Sequence, residues 1–164
     1  MATASHKALL SPPGASIVYI SKPPTAKASV PPSMNLRKFL ERLEKWETPY
    51  TPPISIIYAL NTSLDYILEL GLEHYQRIHA ERAEYIYSNV KLKPVPREEF
   101  RSRTVAVFYT DKAKEIVSEL RKRGYVIAGG MWRLRDRTIR IGLMGDIAME
   151  DLKIVAEVIN SICG

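Results

Sequence analysis

Three short stretches hold side chains whose type and spacing could do chemistry. The first is Ser5-His6-Lys7, in which Lys7 carries the only formal charge of residues 1–20. A lysine amine turns nucleophile and proton carrier when burial or a neighbouring cation lowers its pKa. Taken alone, a lysine in an apolar stretch reads as a surface residue that buries its stem and keeps its charge in water. The second stretch is Thr51-Pro52-Pro53, a helix start, since threonine caps and proline suits the first turn. A helix N-terminus with free N–H groups and a hydroxyl also suits a phosphate, and the two readings are compatible. The third is Arg140, which alternates with Ile139 and Ile141 in a strand, so its side chain leaves the apolar face. Guanidinium matches a carboxylate at two points. The plainer reading is an outward-facing surface arginine, as for Arg133, Arg135 and Arg137.

The elements that position these residues follow from periodicity and turn chemistry. Ser16 to Ile20 is a short β-branched run and predicts a buried strand. Ser21 to Met34 is rich in Pro, Ser, Ala and Lys and predicts a surface loop, with nine of the eleven prolines lying between Pro12 and Pro53. Asn35 is placed to cap a helix over Leu36 to Trp46. Ile54 to Leu70 is apolar almost all round, which predicts a helix buried on most sides. Gly71 interrupts it, and the stripe of Tyr75, Ile78, Arg82 and Tyr85 or Ile86 beyond predicts a more exposed face. Val105–Tyr109, Tyr125–Ala128 and Thr138–Gly142 read as strands, with a further one near Met131 to Leu134. Asp111 to Arg123 is a helix that Gly124 ends. Asp146 caps a last helix with Leu152, Val155, Ala156 and Ile159 inward. Gly129-Gly130 reads as a turn, and Trp132 and Met144 as packing residues. The chain thus divides into residues 1–70, which cannot close a core alone, and residues 71–164, a small α+β domain with helices on one face of a sheet.

Composition bounds the class. Hydrophobic residues make up 46% and charged residues 26% of the 164, as in globular chains. No apolar run reaches the ~20 residues that span a bilayer, and the first residues lack a signal-peptide pattern. The one cysteine, Cys163, excludes an intrachain disulfide and a cysteine metal site, and no metal is expected. These features point to the cytoplasm. The net charge of +6 permits nucleic-acid binding through Arg121-Lys122-Arg123 and Arg133 to Arg140, but a solvated charged surface explains it as well.

Ser5-His6-Lys7-Ala8-Leu9-Leu10-Ser11-Pro12-Pro13-Gly14 resembles the cofactor-lysine motif of the class V pyridoxal-phosphate (PLP) aminotransferases, the serine–pyruvate and alanine–glyoxylate group. The likeness continues through Thr48-Pro49-Tyr50-Thr51-Pro52-Pro53-Ile54-Ser55, Gly71-Leu72-Glu73 and Ala128-Gly129-Gly130, and ends in Ile139-Arg140-Ile141-Gly142-Leu143-Met144-Gly145. One Ser-x-Lys is a weak motif, whereas ordered blocks at matching spacing are a specific one. The resemblance implies the C-terminal portion of a fold-type I transferase, α/β to α+β, with residues 1–70 a remnant of the PLP-binding large domain and 71–164 the small domain. It implies that Lys7 forms the Schiff base with PLP and moves the substrate Cα proton. It implies that Arg140 grips the substrate α-carboxylate, and that Tyr50 and Thr51 reach the cofactor phosphate of a neighbouring subunit in a homodimer. The substrates it implies are an amino acid (serine, alanine or aspartate) and a 2-oxo acid (glyoxylate or pyruvate).

Cysteine desulfurases share a His-Lys pair in this motif but need a cysteine on a mobile loop, and Cys163 stands next to last in a helical tail. The resemblance covers only the second half of a family subunit. The phosphate-binding turn, the aspartate that pairs with the pyridine nitrogen and the aromatic that stacks on the ring belong to the other half. A C-terminal fragment, inactive alone and a partner of the missing N-terminal half, is the expectation. The alternative is a stand-alone oligomerising module that uses helix 54–70 and strand 16–20 as its interface.

Overall fold

The computed structural model describes residues 1–22, 24–25 and 30–164. Pro23 and Ala26–Ser29, within the expected surface loop, lie outside the described residues. The chain divides into two compact units, Met1–Tyr66 and Ile67–Gly164, and the division falls inside a helix.

The first unit opens with β1 (Ala2–Ala4), which pairs antiparallel with β2 (Ser16–Val18), Thr3 standing opposite Ile17. α1 (Leu36–Leu43) follows, then α2 (Ile54–Leu70), whose first part belongs to this unit. Three expectations change here. β2 is not buried: Val18 is 45% and Tyr19, just after it, 64% exposed, as in a two-stranded ribbon whose faces are not covered by a layer among the described residues. α2 is helical over the expected span, yet Ile54, Ile57, Tyr58 and Leu68 are exposed and Ile67 is its sole buried residue. Its all-round apolar surface records what the helix is suited to pack against, and that layer is not supplied within this unit. Asn35 makes no side-chain cap bond and α1 stops three residues short of Trp46, whose φ of +58° breaks the helix. Among the described residues of 1–66 no apolar side chain is buried; the buried residues are two serines, Ser5 and Ser11.

The second unit is a closed α+β core. α3 (Leu72–Asn89) leads to β3 (Val105–Tyr109), α4 (Ala113–Lys122), β4 (Ala128–Gly129), β5 (Thr138–Gly142) and α5 (Met149–Cys163). The sheet is antiparallel in the order β3-β5-β4. Ala106 faces Ile141 and Phe108 faces Ile139 across the ladder, and these four side chains join α3, α4 and α5 in one buried cluster. Alternation along the strands then sets Val107 and Arg140, paired with each other, on the opposite face.

α3 overturns its expected exposure: Tyr75, His79, Arg82, Ala83 and Ile86 are buried. Periodicity identified the face, but its polar members hid the burial. Arg82 explains how a cation is tolerated there. It donates to the carbonyls of Gly145 (2.6 Å) and Ile147 (2.5 Å), so its charge lies on two carbonyl dipoles. This clamp holds the turn after β5 apart from α5, so that Ala148 and not Asp146 precedes the helix. The strand expected over Tyr125–Ala128 is reduced to Ala128–Gly129, and Trp132–Leu134 is a single 3₁₀ turn rather than a strand. Arg82→Met should keep the stem's packing but strand both carbonyls, destabilising this unit by roughly 2–3 kcal/mol. Chemical denaturation of the two proteins checks this, and an unchanged midpoint would refute the clamp.

Candidate functional site

Lys7 lies in the connection between β1 and β2. Ser5 ends the ladder: its N–H donates to the Ala15 carbonyl at 3.0 Å, and its own carbonyl accepts from Ser11 N–H at 3.1 Å. Inside the loop so closed, Lys7 N–H donates to Ala4 O (3.4 Å) and Leu10 N–H to Lys7 O (3.1 Å). Leu10 completes the turn at φ +57°. Both His6 and Lys7 are exposed. The Lys7 side chain makes no hydrogen bond or ion pair among the described residues, so the loop backbone alone sets its direction.

Tyr50 and Thr51 lead into α2, and both are exposed. The Tyr50 ring stands 6.1 Å from that of Phe39 in α1. Thr51 is not the cap that its type suggested. A proline disfavours helical backbone in the residue before it, so Pro53 holds Pro52 out of the helix and α2 begins at Ile54. The prolines also thin the free donors at this helix start. Ile54 N–H goes to Pro52 O, while Ile56 and Ile57 N–H both go to Pro53 O. In that first turn Ser55 N–H is left without a backbone partner among the described residues.

The Lys7 loop and this helix start are tied together by Gly14. Its φ is +144°, and a Cβ there would stand 2.8 Å from Ile56 Cγ1 in the first turn of α2. The Pro12-Pro13-Gly14 turn therefore seats directly on the helix. Gly14→Ala meets both obstacles, with an expected cost of about 2–4 kcal/mol, combining an unfavourable φ with overpacking. Because the described residues of this unit form no apolar core, the loss should appear locally, as faster amide exchange at Ser5, Ser11 and Ala15. Exchange that stays at the native rate would show that the contact is slack.

Arg140 belongs to the second unit. It sits in β5 between Val107 and Ala128 and is half-buried. Its Nε donates to Gly129 O at 2.8 Å. Both terminal amino groups of the guanidinium have no partner among the described residues, which leaves a planar pair of donors. The neighbouring loop is built around Gly130, where a Cβ would lie 2.0 Å from Leu134 O and 2.3 Å from Thr138 Oγ1. Thr138, wholly buried on the same strand face as Arg140, donates to Leu134 O at 3.1 Å. Gly129-Gly130 thus does more than turn the chain: one carbonyl holds the arginine, and the next residue admits the Trp132–Leu134 turn against the sheet. Trp132 itself, expected to pack, is 88% exposed at φ +49°.

Lys7, Tyr50 and Thr51 therefore fall in one unit and Arg140 in the other. Two supporting residues escaped the sequence reading. Ser5 carried a signal, its place two residues before the lysine. Arg82 carried one in hindsight, as a cation inside an otherwise apolar helix stripe. Among the described residues no group of three His, Cys, Asp or Glu could hold a metal ion, and no helix is long and apolar enough to cross a membrane.

The family model "Aminotransferase class-V" matches residues 1–153. The chain is 30% identical over 161 residues to an uncharacterized aminotransferase of Methanocaldococcus jannaschii, covering 87% of this chain and 40% of that protein. It is 32% identical over 160 residues to a serine–glyoxylate aminotransferase of Arabidopsis thaliana, covering 88% and 39%. Among solved structures, an aspartate aminotransferase of subgroup IV from Thermus thermophilus superposes with a TM-score of 0.81 at 28% identity, covering 98% of this chain and 49% of that one. The chain spans about two fifths of the length of these curated relatives.

Proposed function

Because the chain belongs to the class V aminotransferases, a PLP-dependent family of fold-type I, we propose that it is the lysine- and arginine-bearing part of a transaminase. The observation that carries this reading is the pairing of two presented groups in one chain. Among the described residues, Lys7 is offered unbonded from a closed loop, and Arg140 is held by Nε with its terminal donors free. When bound, pyridoxal phosphate supplies an aldehyde that a lysine amine can join and a ring that takes up the electron pair released at substrate Cα. Lys7 Nζ would hold the cofactor and afterwards move the Cα proton. Arg140 would bind the substrate carboxylate at two points and so orient Cα. Tyr50 and Thr51, with the unpaired Ser55 amide behind them, would stand on the phosphate side, reaching it from a neighbouring subunit of a homodimer.

Substrates of this reading are serine, alanine or aspartate as donor and glyoxylate or pyruvate as acceptor, in line with the names of the relatives. The free Cys163 suits a cytoplasmic setting. The 164 residues alone would not turn over, since among the described residues the lysine-bearing unit has no apolar core of its own. The exposed apolar side chains of α2 call for a further layer, either the remaining half of the protein or a second copy.

The test is direct. The purified chain is incubated with pyridoxal phosphate, reduced with borohydride, digested and mapped by mass spectrometry. The expected result is label concentrated on Lys7; label spread over the other lysines would remove the assignment. Measurable turnover of alanine and glyoxylate by the chain alone would refute its dependence on a second half.

A further inference from the structure

We infer that the Ser5 hydroxyl is a positioning residue for Lys7, an assignment that rests on the reading of Lys7 given above. Ser5 and Ser11 are the buried residues among those described in 1–66, with 0% and 6% exposure. A buried hydroxyl is unfavourable unless it is bonded. The two serines answer that demand differently. Ser5 Oγ donates to the Pro12 carbonyl at 2.7 Å and accepts from Ala15 N–H at 3.3 Å. Ser11 Oγ has no partner among the described residues.

The reason for a side chain in this role lies in the prolines. Pro12 and Pro13 have no N–H, so the β1–β2 ladder cannot run on past the Ser5–Ala15 pair through backbone donors. Ser5 replaces what the ladder lacks, one donor and one acceptor at the point where the loop leaves the strands. Together with its two backbone bonds, Ser5 N–H to Ala15 O and Ser11 N–H to Ser5 O, it fastens both ends of the five residues His6 to Leu10. Lys7 lies two residues from this anchor and has no side-chain bond of its own among the described residues. The direction of its amine is therefore inherited from the loop, and the loop is held at Ser5. On the far side the same Pro-Pro-Gly turn is seated on α2 through Gly14 and Ile56, which keeps the anchor from shifting along the helix start.

The experiment extends the borohydride mapping of the full chain to Ser5→Ala, Ser5→Thr and Ser11→Ala, and reads the share of label on Lys7 relative to the chain's other lysines. Ser5→Ala is expected to lower that share about tenfold, the scale of one lost buried hydrogen bond. Ser5→Thr keeps the hydroxyl and should restore the share to within about twofold of the native chain, while Ser11→Ala, which removes an unbonded hydroxyl from the same loop, should leave it unchanged. A share that is the same in Ser5→Ala as in the native chain overturns the inference. So does an equal loss in Ser5→Ala and Ser5→Thr, which would make the position sensitive to shape alone. If Ser5→Ala loosens the whole unit, all lysines gain label together and the Ser5→Thr rescue decides. Label that avoids Lys7 in the native chain is a separate outcome, for it overturns the reading of Lys7 itself.

Discussion

Lys7→Arg, made in protein that carries both halves of the proposed enzyme, should lower transaminase turnover by about 10²–10⁴, the range a positioned acid–base group supplies. The substitution keeps a positive charge and a long stem, so the loop closed by Ser5 and Ala15 should survive it. What it removes is the ability to lose a proton. Guanidinium stays charged at any pH a protein tolerates and can neither join an aldehyde nor accept a proton from carbon. The absorbance of bound cofactor and the steady-state rate report this together. Turnover within a few-fold of the native protein would mean that another amine does the work. Because Lys7 is exposed and its side chain unbonded among the described residues, its replacement should leave stability unaltered, so a drop in activity cannot be ascribed to unfolding.

Arg140→Lys should act on substrate binding rather than on the amine. The native guanidinium spends Nε on Gly129 O and keeps two terminal donors in one plane. An ammonium has no planar pair of donors, so it meets a carboxylate at one point, and the stem that replaces Nε cannot donate to the Gly129 carbonyl. Losing one charge-assisted bond of about 1.5–3 kcal/mol corresponds to a rise in KM of roughly 10- to 100-fold for amino acid and 2-oxo acid alike. The rise should be shared by all substrates, since every one carries the α-carboxylate. A change confined to one donor would instead place Arg140 at the substrate side chain. Removal of the Nε bond also frees the β4 edge, so amide exchange at Gly130, whose N–H donates to Thr138 O, serves as the structural control.

The legible and the illegible parts of the chain separate along physical lines. β3, β5 and α2 appeared with the bounds expected of them, because period-2 and period-3.6 patterns are local properties that survive without knowledge of partners. Helix caps fared worse. Thr51, Asn35 and Asp146 are all good capping residues by type, yet Asn35 stands at the N-cap of α1 without a side-chain cap bond, and Thr51 and Asp146 do not directly precede their helices. For Thr51 and Asp146 something beyond residue type intervenes: the conformational restriction that Pro53 places on Pro52, and the grip of Arg82 on Gly145 and Ile147. Burial was the least legible property. Ile54, Ile57 and Tyr58 look like core residues and are exposed, while His79 and Arg82 look like surface residues and are buried.

Lys7 and Arg140 were singled out from the amino-acid sequence alone, by their types and their place among ordered blocks, because the proposed chemistry demands a particular functional group whatever surrounds it. Tertiary structure decided how those groups are presented. The loop that offers Lys7 depends on Ser5 reaching Pro12 O and Ala15 N–H, seven and ten residues away. The donor pair on Arg140 depends on a carbonyl of the neighbouring strand, eleven residues away. The seat of Gly14 against Ile56 joins segments more than forty residues apart. Such contacts arise from where folding brings distant backbone atoms, and neither residue type nor periodicity encodes those distances.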